Sequence, residues 1–367
     1  MDQARFDAIS RTLAAGVNRR RVLRALSGAG AAGVLAGAGG TASRVARAQE
    51  ATPAGECPAA TPDEHVAVVR RFFEEGVNTG NLAVFDEVAV PDVVYAGATV
   101  GDESGLEALK RIYGEALVGF PGIQYGFLTS VASGDAVAVR YLVEGVHTGE
   151  FRGLAPSGDT VTWTHSAFAH VECGKITEMW AEVNQLDRLE QFGVLVNEGP
   201  AARMAGVGAA PAATPAAAGE SASCAAPSPE EVLAVVERFR TEVYNAGNTD
   251  ALPEIVAEGY LHGAANGPDA VGIAAGAKQI GGFQTALPDL AWSFDEAIAQ
   301  GDQAAARWTV RGTHDGDLLG FAATGTPVEF TGISFWKVAC GKIVEFQTEM
   351  DAAGLLEQVG APVRQEP

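Results

Sequence analysis

Acidic side chains recur at alternate positions near the end of the chain. Residues 342–352 are predicted to form a strand, in which alternate side chains share a face. One face then carries Glu345, Gln347, Glu349 and Asp351. Inside a partly apolar cavity, desolvation and like charge would raise a carboxyl pKa towards the range of a general base. Asp351 is therefore the candidate acid/base, unless this face meets solvent or a partner domain.

The same strand occurs 167 positions earlier with two differences. Asn184 stands where Asp351 stands in the second copy, and Trp180 stands where Gln347 stands. Because an amide does not accept a proton near neutral pH, we expect any catalysis in the second copy. The first copy should bind a ligand at most, with Trp180 available to stack on it.

Three further side chains are candidates for ligand contacts. Arg140 and Arg307 occupy equivalent positions and would bind a carbonyl or ester oxygen, or else pair with a glutamate of the neighbouring strand. His262 follows a brief strand, and its counterpart is Tyr95. The predicted ligand-binding set is therefore Arg140, Trp180, Asn184, His262, Arg307, Gln347 and Glu349.

The sequence lacks the usual signals for metal or nucleophilic chemistry. His165 and His170 are five residues apart, which places them on opposite faces of a strand. The chain has no Gly-x-Ser-x-Gly elbow and no phosphate-binding loop. We therefore expect no metal site.

The duplication sets the domain organisation. The tetrapeptides that begin at Asn78 and Cys173 recur at Asn245 and Cys340 in an unbroken register. A repeat of this length is typical of a complete domain. We predict a signal peptide at 1–48, a linker at 49–62, domain 1 at 63–197, an Ala/Pro-rich linker at 198–228, domain 2 at 229–362 and a tail at 363–367.

Each unit is predicted to contain three helices followed by a sheet. Apolar side chains first recur every three or four residues, which is typical of an amphipathic helix. A short helix, a brief strand and a third helix follow, and then four β runs separated by tight turns. Helices that cover one face of a curled antiparallel sheet and leave a pocket make an α+β domain.

Several motifs in this order resemble the SnoaL-like polyketide cyclases, or ester cyclases, within the nuclear transport factor 2-like fold. They are Phe73-x4-Asn78-Thr79-Gly80-Asn81, Gly-x-His-x-Gly at 145–149 and 312–316, and Gly-Lys-Ile-x-Glu at 174–178 and 341–345. The resemblance implies two tandem cone-shaped domains. It also implies cofactor-free intramolecular aldol closure of a polyketide ester by one aspartate, which lies four residues beyond a tryptophan. Domain 2 lacks that tryptophan and domain 1 lacks that aspartate.

The first 48 residues have the features of an export signal. Arg19 and Arg20 belong to a twin-arginine (Tat) pattern, an uncharged Gly/Ala-rich run follows, and Ala48 ends a small-x-small cleavage site. We expect export to the periplasm, the cell surface or the medium. The whole chain has a net charge of −21, and 17 basic and 44 acidic side chains remain after cleavage. Nucleic acid and anionic membrane are therefore not expected partners.

The four cysteines follow the repeat. Cys57 and Cys224 precede the first helix of each unit, and Cys173 and Cys340 lie in the last hairpin turn. In an exported chain, two cysteines per domain predict the disulfides Cys57–Cys173 and Cys224–Cys340. The alternative is a metal site, but no histidine accompanies either pair at ligand spacing.

Three functions are consistent with these observations. The chain is a cyclase or isomerase for a small apolar carbonyl or polyketide-like compound, with domain 2 active. Alternatively, its cones bind an apolar small molecule without turnover. The third hypothesis is structural, with the two units paired as a covalent pseudo-dimer.

Overall fold

The structure is a computed structural model that describes residues 57, 59–97, 101–192, 224–263, 269–318 and 320–360. The signal peptide and most of both linkers predicted above lie outside these ranges. No helix within the described ranges is long and apolar enough to cross a membrane.

Domain 1 begins with helices and ends with long strands. Its elements are α1 (Pro62–Arg71, continued by a π-helical turn at Phe72–Val77), α2 (Val84–Val88), β1 (Ala89–Gly97), β2 (Gly101–Ser104), α3 (Leu106–Gly119), β3 (Gln124–Ser133), β4 (Ala136–Val146), β5 (Thr160–Glu172), β6 (Lys175–Val183) and α4 (Gln185–Gln191).

Domain 2 repeats this order. Its elements are α5 (Pro229–Arg238, continued by a π-helical turn at Phe239–Asn245), a 3-10 turn (Thr249–Ala251), α6 (Leu252–Ile255), β7 (Val256–His262), β8 (Ala270–Val271), α7 (Ile273–Ala286), β9 (Ala291–Gln300), β10 (Gln303–Thr313), β11 (Pro327–Ala339), β12 (Lys342–Met350) and α8 (Ala352–Gln358). The predicted α+β class with two tandem domains is confirmed. Each domain also has a helix after its last strand, α4 or α8, that the sequence analysis did not predict.

The first helix of each domain begins at a capping box. The Thr61 hydroxyl accepts a hydrogen bond from the Glu64 backbone N–H, and the Glu64 carboxylate accepts one from the Thr61 N–H. Ser228 and Glu231 make the same reciprocal pair in domain 2. These bonds satisfy backbone donors that the first turn leaves unpaired, so both helices start at equivalent positions.

The described strands form two six-stranded sheets, in the orders β2-β1-β6-β5-β4-β3 and β8-β7-β12-β11-β10-β9. Most neighbouring strands are antiparallel, as predicted. β1 with β6 and β7 with β12 are parallel, so each sheet is mixed. The reason is that a helix and four strands lie between these partners in sequence, which is a connection long enough for a parallel return.

Both predicted disulfides are present. Cys57 bonds Cys173, and Cys224 bonds Cys340, with Cα–Cα distances of 5.1 and 5.4 Å. Each bridge joins the segment before the first helix to the last hairpin turn of the same domain. Two such bridges indicate an oxidising compartment.

The two faces of each sheet have different neighbours. In β4, Val137, Val139 and Tyr141 pack with the helices of domain 1, whereas the alternate residues Ala136 and Ala138 belong to a separate apolar cluster. That cluster joins the two domains and contains Val131, Ala136, Ala138, Phe168, Ile298, Ala305, Ile333 and Phe335. Several members are counterparts 167 residues apart, so both domains contribute the same surface, as the subunits of a symmetric dimer do.

Candidate functional site

Glu349, on the polar face of β12, lies between the domains. Phe346 and Met350 pack in the core of domain 2, whereas Glu349 is only 1 % exposed and accepts a hydrogen bond from Arg140 Nε of domain 1 at 3.1 Å. Burial raises the pKa of Glu349, while Arg140 and a hydrogen bond from Thr164 oppose that shift. At Glu349, this face of β12 therefore meets the partner domain. Strand alternation explains the result, because the apolar residues of β12 occupy the interior.

The predicted binding residues Trp180 and Arg307 also meet across this interface. The Arg307 guanidinium lies 4.2 Å from the centroid of the Trp180 ring, and its Nη1 donates to Asp295 at 3.2 Å. Arg307 is the counterpart of Arg140, but Asp295 corresponds to Leu128 in domain 1. The aspartate gives Arg307 a partner within its own domain, so the two halves of the interface pair their arginines differently.

Glu182, which the sequence analysis missed, is buried at the corresponding place in domain 1. It is the counterpart of Glu349, and its Oε1 accepts a hydrogen bond from Thr331 at 2.7 Å. Its Oε2 has no hydrogen-bond partner among the described residues. The pKa of Glu182 is raised to about 8, chiefly by burial and to a smaller extent by the negative charges of Asp351 and Glu349, while the hydrogen bond from Thr331 opposes the shift. Glu182 could have been identified from the sequence, because it lies 167 positions before Glu349 in the repeat.

Asp351 and Asn184 both cap the final helix of their domain. Asp351 Oδ1 accepts a hydrogen bond from the Gly354 N–H at 2.8 Å, and Asn184 Oδ1 accepts one from the Asp187 N–H at 3.2 Å. Both residues are partly exposed. Asp and Asn serve equally well as helix caps, so the difference between the copies is compatible with one structural role. The acid/base role of Asp351 stays a prediction.

His262 is the predicted site residue that does lie inside a domain. It is 4 % exposed, with its Nδ1 3.2 Å from the Tyr260 hydroxyl and its Nε2 3.4 Å from the Tyr244 hydroxyl. The Phe346 ring packs against the imidazole at 4.9 Å between centroids. Burial lowers the pKa of His262 to about 4, so the ring is neutral at neutral pH. Gln347, by contrast, is only partly buried and approaches Glu345 at 3.5 Å.

The interior of domain 1 holds a different polar group. His165 is buried beside Phe73 and Tyr125, and burial, with the Arg188 charge, lowers its pKa to about 3. His170 lies on the opposite face of β5 and contacts Glu296 of domain 2 at 3.0 Å, which confirms the predicted separation. Within the described residues, no three His, Cys, Asp or Glu side chains lie together in a way that would hold a metal ion.

Comparisons with known proteins give the following matches. The model of the SnoaL-like polyketide cyclase family matches residues 67–192 and 234–359. TsrD from Streptomyces laurentii is 27 % identical over 37 % of this chain and 98 % of TsrD, with a TM-score of 0.34. Wild-type IdmH from Streptomyces antibioticus is 27 % identical over 37 % of this chain and all of IdmH (100 %), with a TM-score of 0.33. A search of curated proteins finds no match.

Proposed function

The chain belongs to the SnoaL-like polyketide cyclase family in two tandem copies, and we propose that it is an exported protein that binds a small apolar carbonyl compound without turnover. The polar centre of the site is His262 with Tyr244 and Tyr260 in domain 2. The two domains act as one covalent pseudo-dimer.

The observation that carries this proposal is the burial of the His262 imidazole between two tyrosine hydroxyls, 3.2 Å from that of Tyr260 and 3.4 Å from that of Tyr244. A general base works best when its pKa is near the operating pH, and a pKa of about 4 makes this imidazole a weak base at neutral pH. Neutral imidazole and tyrosine hydroxyls are, however, good hydrogen-bond partners for a neutral carbonyl oxygen. The surrounding aromatic rings supply the apolar walls that such a ligand requires.

The Tyr244 hydroxyl makes the longer of the two contacts with His262. Its 3.4 Å contact with His262 is long for a hydrogen bond, and the residue is only partly buried. A carbonyl oxygen can therefore replace the imidazole as the acceptor for this hydroxyl. Val77 and Tyr95 occupy the positions of Tyr244 and His262 in domain 1, so this site is specific to domain 2.

The binding test uses the fluorescence of Trp292, whose ring centroid is 4.6 Å from that of Tyr244. The probe is 2-acetylnaphthalene, and its control is 2-ethylnaphthalene, which has no carbonyl. We expect the ketone to quench fluorescence at lower concentration. Tyr244→Phe should weaken ketone binding about five-fold, which is the value of one neutral hydrogen bond, and leave hydrocarbon binding unchanged. Equal binding of both probes would contradict the proposal.

The second candidate function is acid–base cyclisation or isomerisation in domain 2, with Asp351 as the acid/base. The retained carboxylate and its partial exposure favour it, because the corresponding Asn184 has no carboxylate. The discriminating measurement is product formation from small β-keto esters, followed by mass spectrometry. A reaction that Asp351→Asn slows by about 10²–10⁴-fold would establish this function and replace the binding proposal.

Export by the Tat pathway is part of the proposal. The twin-arginine segment lies outside the described residues, and the two disulfides support an oxidising destination.

A further inference from the structure

Arg188 of domain 1 is a buried cation without a matching anion. It lies on α4, is 7 % exposed, and its guanidinium carbon is 5.2 Å from the Phe151 ring and 5.4 Å from the Trp163 ring. Among the described residues, no carboxylate lies within ion-pair distance of it, and its Nε has no hydrogen-bond partner. Burial lowers the pKa of Arg188 to about 10, so the side chain remains positively charged at neutral pH.

A buried charge of this kind is costly unless an anion compensates it. The two aromatic rings offset part of that cost through cation–π attraction, but they do not use the directional N–H groups of the guanidinium. The position does not require a cation for folding. Its counterpart in domain 2 is Leu355, which is fully buried in an equivalent helix.

Arg188 borders a small cleft with apolar walls. The walls are formed by Phe151, Leu154, Leu189 and Phe192, and the other polar side chains are those of Arg152 and Gln185. The cleft encloses about 20 Å³, which is enough for about one water-sized group. The Arg152 charge is close enough to lower the pKa of Arg188, so two guanidinium groups face one cleft.

We infer that this cleft binds the carboxylate group of a small apolar acid. One carboxylate oxygen fills the water-sized space and accepts a hydrogen bond from Arg188, Arg152 adds positive charge, and the apolar part of the ligand lies at the mouth of the cleft beside Phe151 and Phe192. A planar carboxylate matches the guanidinium fork. The small volume and apolar walls favour a monoanion over phosphate, and the chain's net charge of −21 further disfavours multiply charged ligands.

The test is isothermal titration of the mature full chain with benzoate, with the isosteric neutral amide benzamide, and with inorganic phosphate. Benzoate should bind at least ten-fold more tightly than the other two. Arg188→Leu, which copies Leu355, should remove that preference. Arg111→Leu is the matched control, because it removes an exposed arginine of the same domain and should leave benzoate binding unchanged.

Thermal unfolding tests the premise independently. Without ligand, Arg188→Leu should unfold at the same temperature as the native chain or higher, because an uncompensated charge is removed. Benzoate should raise the unfolding temperature of the native chain and not that of the variant. A variant that unfolds several degrees lower would show that Arg188 is already satisfied within the protein, which overturns the inference.

Three results would also overturn it: equal affinity for benzoate and benzamide, unchanged benzoate binding in Arg188→Leu, or tighter binding of phosphate. If Arg188→Leu does not fold, the inference fails on its premise. Arg188→Lys is a second test variant of the folded protein, because it keeps the charge but loses the planar fork and should bind benzoate with intermediate affinity. The site lies in domain 1, so these results are independent of the His262 site in domain 2.

Discussion

The replacement of Glu182 by Gln should stabilise the protein, and increasingly so as pH rises. Glu182 is buried between the domains with one carboxyl oxygen unpaired, and its pKa is raised from the ordinary 4.5 to about 8. The folded chain therefore keeps a proton at neutral pH that the unfolded chain releases. For such a group, stability is highest below pH 4.5 and falls as pH rises towards 8.

The magnitude follows from the separation of these pKa values. The solution pH of 7 lies about 2.5 units above the ordinary pKa of the carboxyl in the unfolded chain. Taking up a proton on folding therefore costs roughly 3 kcal/mol at 1.36 kcal/mol per unit. At pH 5 the same cost is below about 1 kcal/mol. Gln carries no ionisable proton and retains the shape of the protonated acid. The stability advantage of Glu182→Gln should therefore grow by about 2–3 kcal/mol between these pH values.

The assay is urea denaturation of the native chain and the variant at half-unit steps from pH 5 to pH 8. Glu349→Gln is the matched control, because the equivalent carboxyl is paired with Arg140. That variant should lose stability at pH 7, since it leaves a mostly buried arginine without its partner. Parallel pH profiles for the native chain and Glu182→Gln would refute the reasoning, because they would mean that Glu182 ionises normally in the folded protein.

Three further predictions concern the cap, the disulfide and the signal. Asp351→Ala should lower the free energy of unfolding by about 1 kcal/mol. Asp351→Asn should change it by only about a few tenths of a kcal/mol, because Asn also caps a helix. A large loss of stability in Asp351→Asn would show that the negative charge of Asp351 stabilises the fold. Replacing Cys224 and Cys340 by Ser should cost about 4–5 kcal/mol, measured by denaturation, and unchanged stability would contradict the chain-entropy account. Changing Arg19 and Arg20 to Lys should leave uncleaved precursor in the cytoplasm on immunoblots, and normal export would exclude the Tat signal.

Short-range patterns were sufficient to predict two tandem domains and most of their elements, but not the final helix of each domain or the short strands β2 and β8. The unbroken register of 167 residues placed a cysteine before the first helix and another in the last turn of each copy, and both bridges are present. Strand alternation separated His165 from His170 correctly, because the side-chain period of a strand depends only on local backbone geometry.

The parallel pairing of β1 with β6 was not predictable in this way, because it joins segments far apart in sequence. Alternation also defines two faces of a strand without specifying which face is covered. The sequence left open whether Glu349 lines a cavity or meets a partner domain, and in the structure it pairs with Arg140 of domain 1. Which face is covered depends on packing between segments that are distant in the sequence.

The sequence by itself determined the repeat, the α+β domains, the disulfide pairs and the residue types available for chemistry. Only the tertiary structure decided the burial of Glu182 and Arg188 and the neutral state of His262. The physical reason is that desolvation depends on every group packed around a side chain. Those groups come from strands and helices that the sequence order keeps apart.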